Sequence, residues 1–525
     1  MASVVKSCTV MLAELAAYLW CNAVRLLFHL WFFWQRPRRL PPAKDDILLR
    51  SARSIAAAIR NGEVKSVDVV GAYIKRIQEV QPIINAIVDE RFEEALREAE
   101  VADQLVATGT SSVQELIHEK PLLGVPFSVK DSIAVKGMRQ DAGSLMYRGS
   151  RAVEDAPCVA RMRAAGAIPL ALTNVPELCT WGDAHNLVYG TTRNPHDTRR
   201  GPGGSSGGEG SLLASAGSLI GLGTDLAGSV RIPAAYCGIF GHNPTAGVVP
   251  NTGLLPDVGE KMGEYTCVGP MARFSEDLPL VLKVLAGGAA DRLRLDEEVN
   301  LKALKVFFTE TEGSLYFSRI TPEARQAVVK VARRLREVAG SKLRRLHVPE
   351  LQYAMIKWFK LSAAEDPDLF AKILGPSGLN VFGDLLRILL GAGRHTLAVL
   401  AAFKMAPAFR FSRRQDAEEF LDSIDALRDR IEETLGDNGV LILPAEPSTA
   451  PYHNQDLLFC DSAGMTALFN ILKMPATACP VMKSANGLPL AVQVVATRGN
   501  DRLCLAVARE IERHFGGWIQ PGVPN

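Results

Sequence analysis

Twelve glycines fall between residues 201 and 241, in the run GPGGSSGGEGSLLASAGSLIGLGTDLAGSVRIPAAYCGIFG. Glycine at this density suits either a flexible linker or backbone that turns sharply and packs closely. The apolar stretches LLASA, LIGLG and IPAAYCGIF have no place in a linker. The block therefore reads as tightly packed backbone, where chemistry comes from main-chain groups and from the few polar side chains between the glycines.

Around this block lie 525 residues, 47% hydrophobic and 22% charged, enough to bury a large core. Apolar runs at 124–133, 168–173, 306–309, 440–443 and 488–496 read as short buried strands. Stretches at 91–107, 322–338 and 414–435 have helical periodicity, and another helix opens at Ser66, a candidate cap. Interleaved strands and helices give the α/β class. The charge is +2, with 59 basic against 57 acidic residues and no concentrated basic surface, which argues against a nucleic-acid partner. Nine scattered cysteines form no CxxC pair and no zinc-like spacing with histidine, so no metal site is expected; they read as reduced thiols or core residues, which favours a body facing the cytosol.

Three functional readings compete for residues 201–241. A phosphate-binding loop needs GxxxxGK[ST], and the block contains no lysine. The residues Gly204-Ser205-Ser206-Gly207-Gly208 formally match the nucleophile elbow GxSxG. That elbow must follow a strand, and DTRRGP at 197–202 is not one. The third reading takes the whole block, GGSSGGEG, GLGTDLAGSVRIP, CGIFG and NPT, together with Gly124-Val125-Pro126, Lys130-Asp131, Thr173-Asn174, Glu177 and Gln493. In these motifs the chain closely resembles the amidase-signature family.

That resemblance implies a large central mixed sheet flanked by helices, and a Ser-Ser-Lys triad. Ser229 would attack the substrate carbonyl, Lys130 would be the base, and Ser205, 24 positions before Ser229, would pass the proton between them. It also implies a cis peptide before Ser205, an oxyanion hole from the backbone of Leu226, Ala227, Gly228 and Ser229, and a backbone substrate contact at Cys179. Ala227 stands where the family usually has glycine, and Asn243 where it has lysine. Asp225 and Arg231 flank the loop as either a brace or a surface pair.

The residue types make chemical sense without the resemblance. A serine hydroxyl is a poor nucleophile until a base takes its proton. Lysine can be that base only when neutral, so at neutral pH its pKa must fall by about 3, roughly 4 kcal/mol, which burial in a dry pocket can supply. By alternation, Pro126, Ser128 and Lys130 share one strand face and Val125, Phe127 and Val129 the other, a pattern that a solvent-facing lysine fits equally well.

Two further regions are apolar. Residues 15–34 are long enough for a membrane helix, yet Glu14, Tyr18, Asn22, Arg25 and His29 form a polar stripe along it. Spanning is favoured over lying in the interface, and Arg36, Arg38 and Arg39 against a lone Lys6 would leave the catalytic body on the cytoplasmic side. This divides the chain into an N-terminal membrane segment with linker at 1–40 and a catalytic domain at 41–525. Residues 381–411 read as two short helices around a glycine turn at 391–393, carrying Arg387, Arg394, Lys404 and Arg410; membrane cap and core helix pair both fit.

Within the family, the N-terminal segment, GGSSGGEG and Phe515-Gly516-Gly517-Trp518 resemble the fatty-acid amide hydrolases, their second type most. This implies hydrolysis of primary amides and N-acylethanolamines to free fatty acid and amine, without metal or cofactor. Membrane lipid would be a partner, at an intracellular membrane or lipid-droplet surface, and a homo-oligomer stays open. The alternatives are an amidase for small or peptidic amides and a non-catalytic membrane protein of the same fold.

Overall fold

Runs such as IPLALT at Ile168–Thr173 and GVLILP at Gly439–Pro444 carry no solvent-facing alternation, and every residue in both is buried. Strands of this kind need cover on two faces, and in the structure, a computed structural model, helices supply it. The structure describes residues 2–310, 320–340, 342–374, 380–458 and 464–522.

Thirteen strands are described. The first five are β1 (Ile87–Glu90), β2 (Pro126–Lys130), β3 (Ile168–Thr173), β4 (His185–Asn186) and β5 (Gly190–Thr191). Then come β6 (Ile220–Asp225), β7 (Phe240–Asn243), β8 (Cys267–Ala272) and β9 (Lys305–Phe308). The last four are β10 (Arg344–Arg345), β11 (Gly439–Pro444), β12 (Ala476–Lys483) and β13 (Pro489–Val495). Eleven form one sheet in the order β1-β3-β2-β6-β8-β7-β12-β13-β11-β9-β10, while β4 and β5 pair separately. The sheet is mixed: β2 runs parallel to β3 and β6, and β9 to β11, while β8, β12 and β13 are antiparallel to their neighbours. This is the expected α/β architecture.

The parallel trio β3-β2-β6 sets the site. Lys130 pairs with Thr173 across β2 and β3, and Ser128 pairs with Gly221 across β2 and β6. The carboxyl ends of β2 and β6 therefore open side by side, the usual location of a site in parallel α/β sheets. The Gly207–Ala214 helix lies against these strands, and the Arg231–Cys237 helix packs on β7, β12 and β13.

Two expectations change. Ser66 is not a cap: Lys65 holds that position, Ser66 Oγ donates to Gly124 O at 2.9 Å, and the Asp103 carboxylate accepts the Ser66 and Val67 N–H groups at 2.6 and 3.1 Å. The N-terminal residues do form one helix, Ala2–Phe33, but among the described residues no helix is long and apolar enough to cross a membrane. The polar residues of the stripe dilute it, and one side of the helix docks on the body. Cys21 and Val24 are buried, Trp20 Nε1 donates to Leu458 O at 3.0 Å, His29 Nδ1 lies 3.2 Å from Tyr452 Oη, and Phe32 stacks on Tyr452.

The region 381–411 folds as two helices, Val381–Leu389 and Leu397–Met405, with Gly391 in the turn at φ 71°. Phe382, Leu389 and Leu390 are exposed, while Val399, Leu400 and Phe403 pack inward. The hairpin is thus core on one side and open on the other. Cys158, Cys179, Cys237, Cys267, Cys479 and Cys504 form no disulfide, and of these all but Cys179 are buried.

Candidate active site

Glycine is required by contact where the chain crosses between β2 and β6. A Cβ on Gly204 would stand 2.2 Å from Trp181 O, and one on Gly208 2.4 Å from Asn174 N. The close packing read from GGSSGG is present, and the Gly204–Ser205 peptide is cis. Ser205 emerges from this crossing directly over the end of β2.

There Lys130 Nζ donates to Ser205 Oγ at 2.7 Å and to Thr224 Oγ1 at 2.6 Å. Lys130 has no exposed surface, so of its two sequence readings the buried one holds. Burial lowers its pKa, against smaller opposing effects of Cys179, Asp225 and Glu209. The neutral amine, the form that accepts a proton, is therefore reached at lower pH than in free lysine. Ser206 faces elsewhere, with its N–H on Ser229 O at 3.1 Å. Ser205 and the half-buried Ser229 line one cavity of about 760 Å³.

The loop before Ser229 is held from below. Asp225 Oδ1 accepts the Gly228 N–H at 2.7 Å and Oδ2 the Val230 N–H at 3.1 Å. Arg231 Nη2 and Nε donate to the same two oxygens, each at 3.1 Å, and both residues are fully buried. The pair is thus a brace, not a surface contact. Burial alone would raise the Asp225 carboxyl, but Arg231 and Asn470 hold it below the usual range. Thr466 Oγ1 donates to Ala227 O at 2.9 Å and Trp358 Nε1 to Leu226 O at 3.1 Å.

Of the four backbone groups assigned to an oxyanion hole, Gly228 N–H is thus engaged by Asp225. Those of Leu226, Ala227 and Ser229 donate to no protein group among the described residues. Ala227 needs no left-handed backbone; that conformation falls on Gly228, φ 115°. Cys179 lines the cavity in a left-handed turn, φ 57°, after Leu178 at φ 53°. Its N–H donates to Pro176 O at 2.9 Å, so the backbone contact with substrate that the resemblance implies would fall to its carbonyl. Asn243 lies apart, its Nδ2 on Met474 O at 3.3 Å.

Sequence reasoning missed Thr224, Thr466, Asn470 and Trp358. Thr224 adjoins Asp225 within GLGTD and was open to inspection, whereas the other three come from over a hundred residues downstream with no motif around them. Among the described residues no group of three His, Cys, Asp or Glu is arranged to hold a metal ion.

The Amidase family matches residues 68–505, most of the chain. The chain belongs to the amidase signature family. This amidase-signature hydrolase is 42% identical over 493 residues to fatty-acid amide hydrolase 2-A of Danio rerio, the match covering 92% of each chain. It is 39% identical over 489 residues to fatty-acid amide hydrolase 2 of Homo sapiens, again covering 92% of each. Among solved structures it is similar to 6-aminohexanoate cyclic dimer hydrolase complexed with substrate, with TM-score 0.74 and 25% identity, covering 89% of this chain and 97% of the other. The amidase-signature fold expected from the motifs is therefore shown.

Proposed function

We propose that this amidase is a membrane-associated serine hydrolase of fatty-acid amides, cleaving primary amides and N-acylethanolamines to free fatty acid and amine. The observation that carries this reading is the cavity shared by Ser205 and Ser229: its lining includes Trp358, Phe359, Phe370, Ile373 and Met405, an apolar lining that suits an acyl chain. The likeness to fatty-acid amide hydrolases 2 supports the same substrate class.

In this mechanism Ser229 Oγ attacks the amide carbonyl while its proton passes through Ser205 to neutral Lys130. The backbone N–H groups of Leu226, Ala227 and Ser229 stabilise the oxyanion, with that of Gly228 held by Asp225. The proton returns through Ser205 to the leaving amine as the C–N bond breaks. Water then hydrolyses the acyl-enzyme by the same path, releasing the fatty acid and restoring Ser229. The chemistry needs no metal or cofactor.

Attachment would be to one leaflet. Leu27, Trp31 and Trp34 of the N-terminal segment are exposed, as are Phe382, Leu389 and Leu390 of the hairpin. Residues 457 and 458 link the two regions: Leu458 O accepts from Trp20, and Leu457 lines a small cavity with Ile388 and Leu397. Exposed apolar side chains of this kind suit an interfacial membrane contact.

Hydrolysis of oleamide and anandamide, compared with benzamide, tests the substrate class in wild type and Ser229→Ala. Long-chain amides should be cleaved in preference, and Ser229→Ala should lose both turnover and fluorophosphonate labelling. Preference for benzamide would favour a small-amide enzyme. Wild type that neither labels nor turns over would be a non-catalytic relative.

A further inference from the structure

Helix and strand meet at two rungs, and the mechanism above uses only one. Lys130 and Ser128 point to the same face of β2, two residues apart. Above them, Ser205 and Glu209 stand four residues apart, Glu209 in the first turn of the Gly207–Ala214 helix. The first rung is Lys130 Nζ to Ser205 Oγ at 2.7 Å; the second joins Ser128 Oγ and Glu209 Oε2 at 2.6 Å. Glu209 Oε1 completes the second rung by accepting from Thr173 Oγ1 of β3 at 2.9 Å. Space is made for the carboxyl on β6, where a Cβ on Gly221 would lie 2.2 Å from Oε2.

Proton bookkeeping at this rung favours one charge state. Ser128 Oγ also lies 3.3 Å from Ile220 O, and its single proton serves one acceptor. If Glu209 carries a proton on Oε2, it donates to Ser128 Oγ, Ser128 donates onward to Ile220 O, and Thr173 donates to Oε1. Every group is then satisfied. If Glu209 is ionised, the Ile220 contact is lost and a full charge stands in a site with no exposure and no ion-pair partner among the described residues.

We propose that Glu209 is an uncharged carboxylic acid that fixes the Gly207–Ala214 helix, and with it the preceding Ser205, over Lys130, a positioning residue for the hydrolysis. Its neutrality matters because an anion there would favour the protonated form of Lys130, the form that cannot act as base. With one proton between the two residues, the arrangement is acid plus free amine. Two neutral groups are cheaper to bury than two ions out of contact.

The surroundings agree. Burial pushes the Glu209 carboxyl up to about 8, with Ser128, Thr173 and Lys130 pulling less strongly the other way. The other charged or titratable groups on adjoining elements include Asp225 at the end of β6, paired with Arg231, Asp131 just past β2, Tyr236 and Cys237 of the Arg231–Cys237 helix, Cys267 of β8, Tyr73 of the Ser66–Ile84 helix, and the Cys179 thiol. Arg76, whose Nε donates to Ser215 O past the far end of the helix, is paired with Glu79. None of them contacts the Glu209 carboxyl.

The test is the rate of fluorophosphonate labelling of Ser229 against pH, which does not depend on which amide is the substrate. Glu209→Ala and Ser128→Ala should each slow plateau labelling roughly tenfold or more, as Ser205 loses its register. Glu209→Gln keeps both contacts without charge. It should restore the rate to within about threefold and leave the acid limb within about half a pH unit of wild type. A limb displaced by about one unit or more toward acid would mean that the native carboxylate is charged, and wild-type rates in both alanine variants would mean that the rung positions nothing. Either result overturns the proposal.

Infrared difference spectra at neutral pH give a second reading, valid even if Glu209→Ala does not fold. Wild type minus Glu209→Gln should contain the carbonyl stretch of a protonated carboxylic acid, and a carboxylate band in its place would overturn the assignment. The proposal rests on the Ser-Ser-Lys reading, but the two fail separately. Full labelling in Lys130→Ala would remove the triad mechanism, whereas the infrared band reports Glu209 alone.

Discussion

Gly228 and Thr466 approach so closely that no side chain fits between them: a Cβ at 228 would lie 2.0 Å from Thr466 Oγ1 and 2.5 Å from its Cβ. With φ 115°, the glycine is also in a conformation that other residues rarely adopt. Gly228→Ala should therefore displace the loop that carries Ser229 and its neighbouring N–H groups. A loss of about 10²–10³ in kcat is expected, the cost of misplacing one oxyanion donor. Steady-state kinetics with a check of folding by circular dichroism would measure it; wild-type kcat would show that the loop tolerates the shift.

Lys130 gives a prediction with a definite sign. Its folded pKa lies below its ordinary value, so the neutral amine becomes available as pH rises, and kcat should climb from acid toward alkaline pH. Stability moves the same way. The folded state binds fewer protons than the unfolded one between the two values, so the penalty of burying this lysine is full at acid pH and fades as pH rises to about 10.5. Lys130→Met should abolish turnover yet melt higher than wild type at neutral pH, with the difference shrinking on the alkaline side. Thermal melts over a pH series would show it.

Removing half of the Asp225–Arg231 brace should cost more than removing both. Asp225→Asn strands a fully buried guanidinium, at about 3–5 kcal/mol, whereas Asp225→Leu with Arg231→Met should be less destabilised than the single variant. The sign with pH is opposite to that of an unpartnered buried acid. Since the Asp225 carboxyl is held below its ordinary range, its contribution is present above about pH 4 and lost as pH falls through the folded value. Urea unfolding of the single and double variants decides it.

The membrane reading needs substitutions that do not touch the core. Leu400 packs inward and Leu389 is 83% exposed, so Phe382→Glu with Leu389→Glu is the clean pair. Combined with deletion of residues 1–40, these changes should release the protein from vesicles in flotation assays. Turnover of vesicle-delivered oleamide should slow several-fold while dispersed short amides are spared. A truncated protein already absent from the vesicle fraction would leave the hairpin with no part in attachment.

Strands β2, β3, β9, β11 and β13 and the longer helices were legible because burial on both faces and helical periodicity leave direct marks in sequence. The strand expected at 168–173 and the hairpin turn at Gly391 lie where those marks put them. Ser66 was misread because a capping carboxylate can come from another helix, here through Asp103, which local sequence does not encode. The span at 15–34 was favoured by apolar count over the polar stripe that the sequence also shows, whereas the docking of Val24 and Phe32 on the body is a property of the fold. Within the site, the spacing to Ser229 already picked Ser205 over Ser206, while its approach to within 2.7 Å of Lys130 depends on a backbone turn.

The brace under the nucleophile loop joins early sequence to late. Arg231 donates to Asn470 and Gln493, and Thr466 holds Ala227, although the loop itself ends at residue 230. A ribosome has therefore made nine-tenths of the polypeptide before the attacking serine can be seated. For about half of its synthesis a growing chain carries Lys130, Ser205 and Ser229 together without a finished site, so a prematurely terminated product holds the triad residues but not the braced loop that seats them.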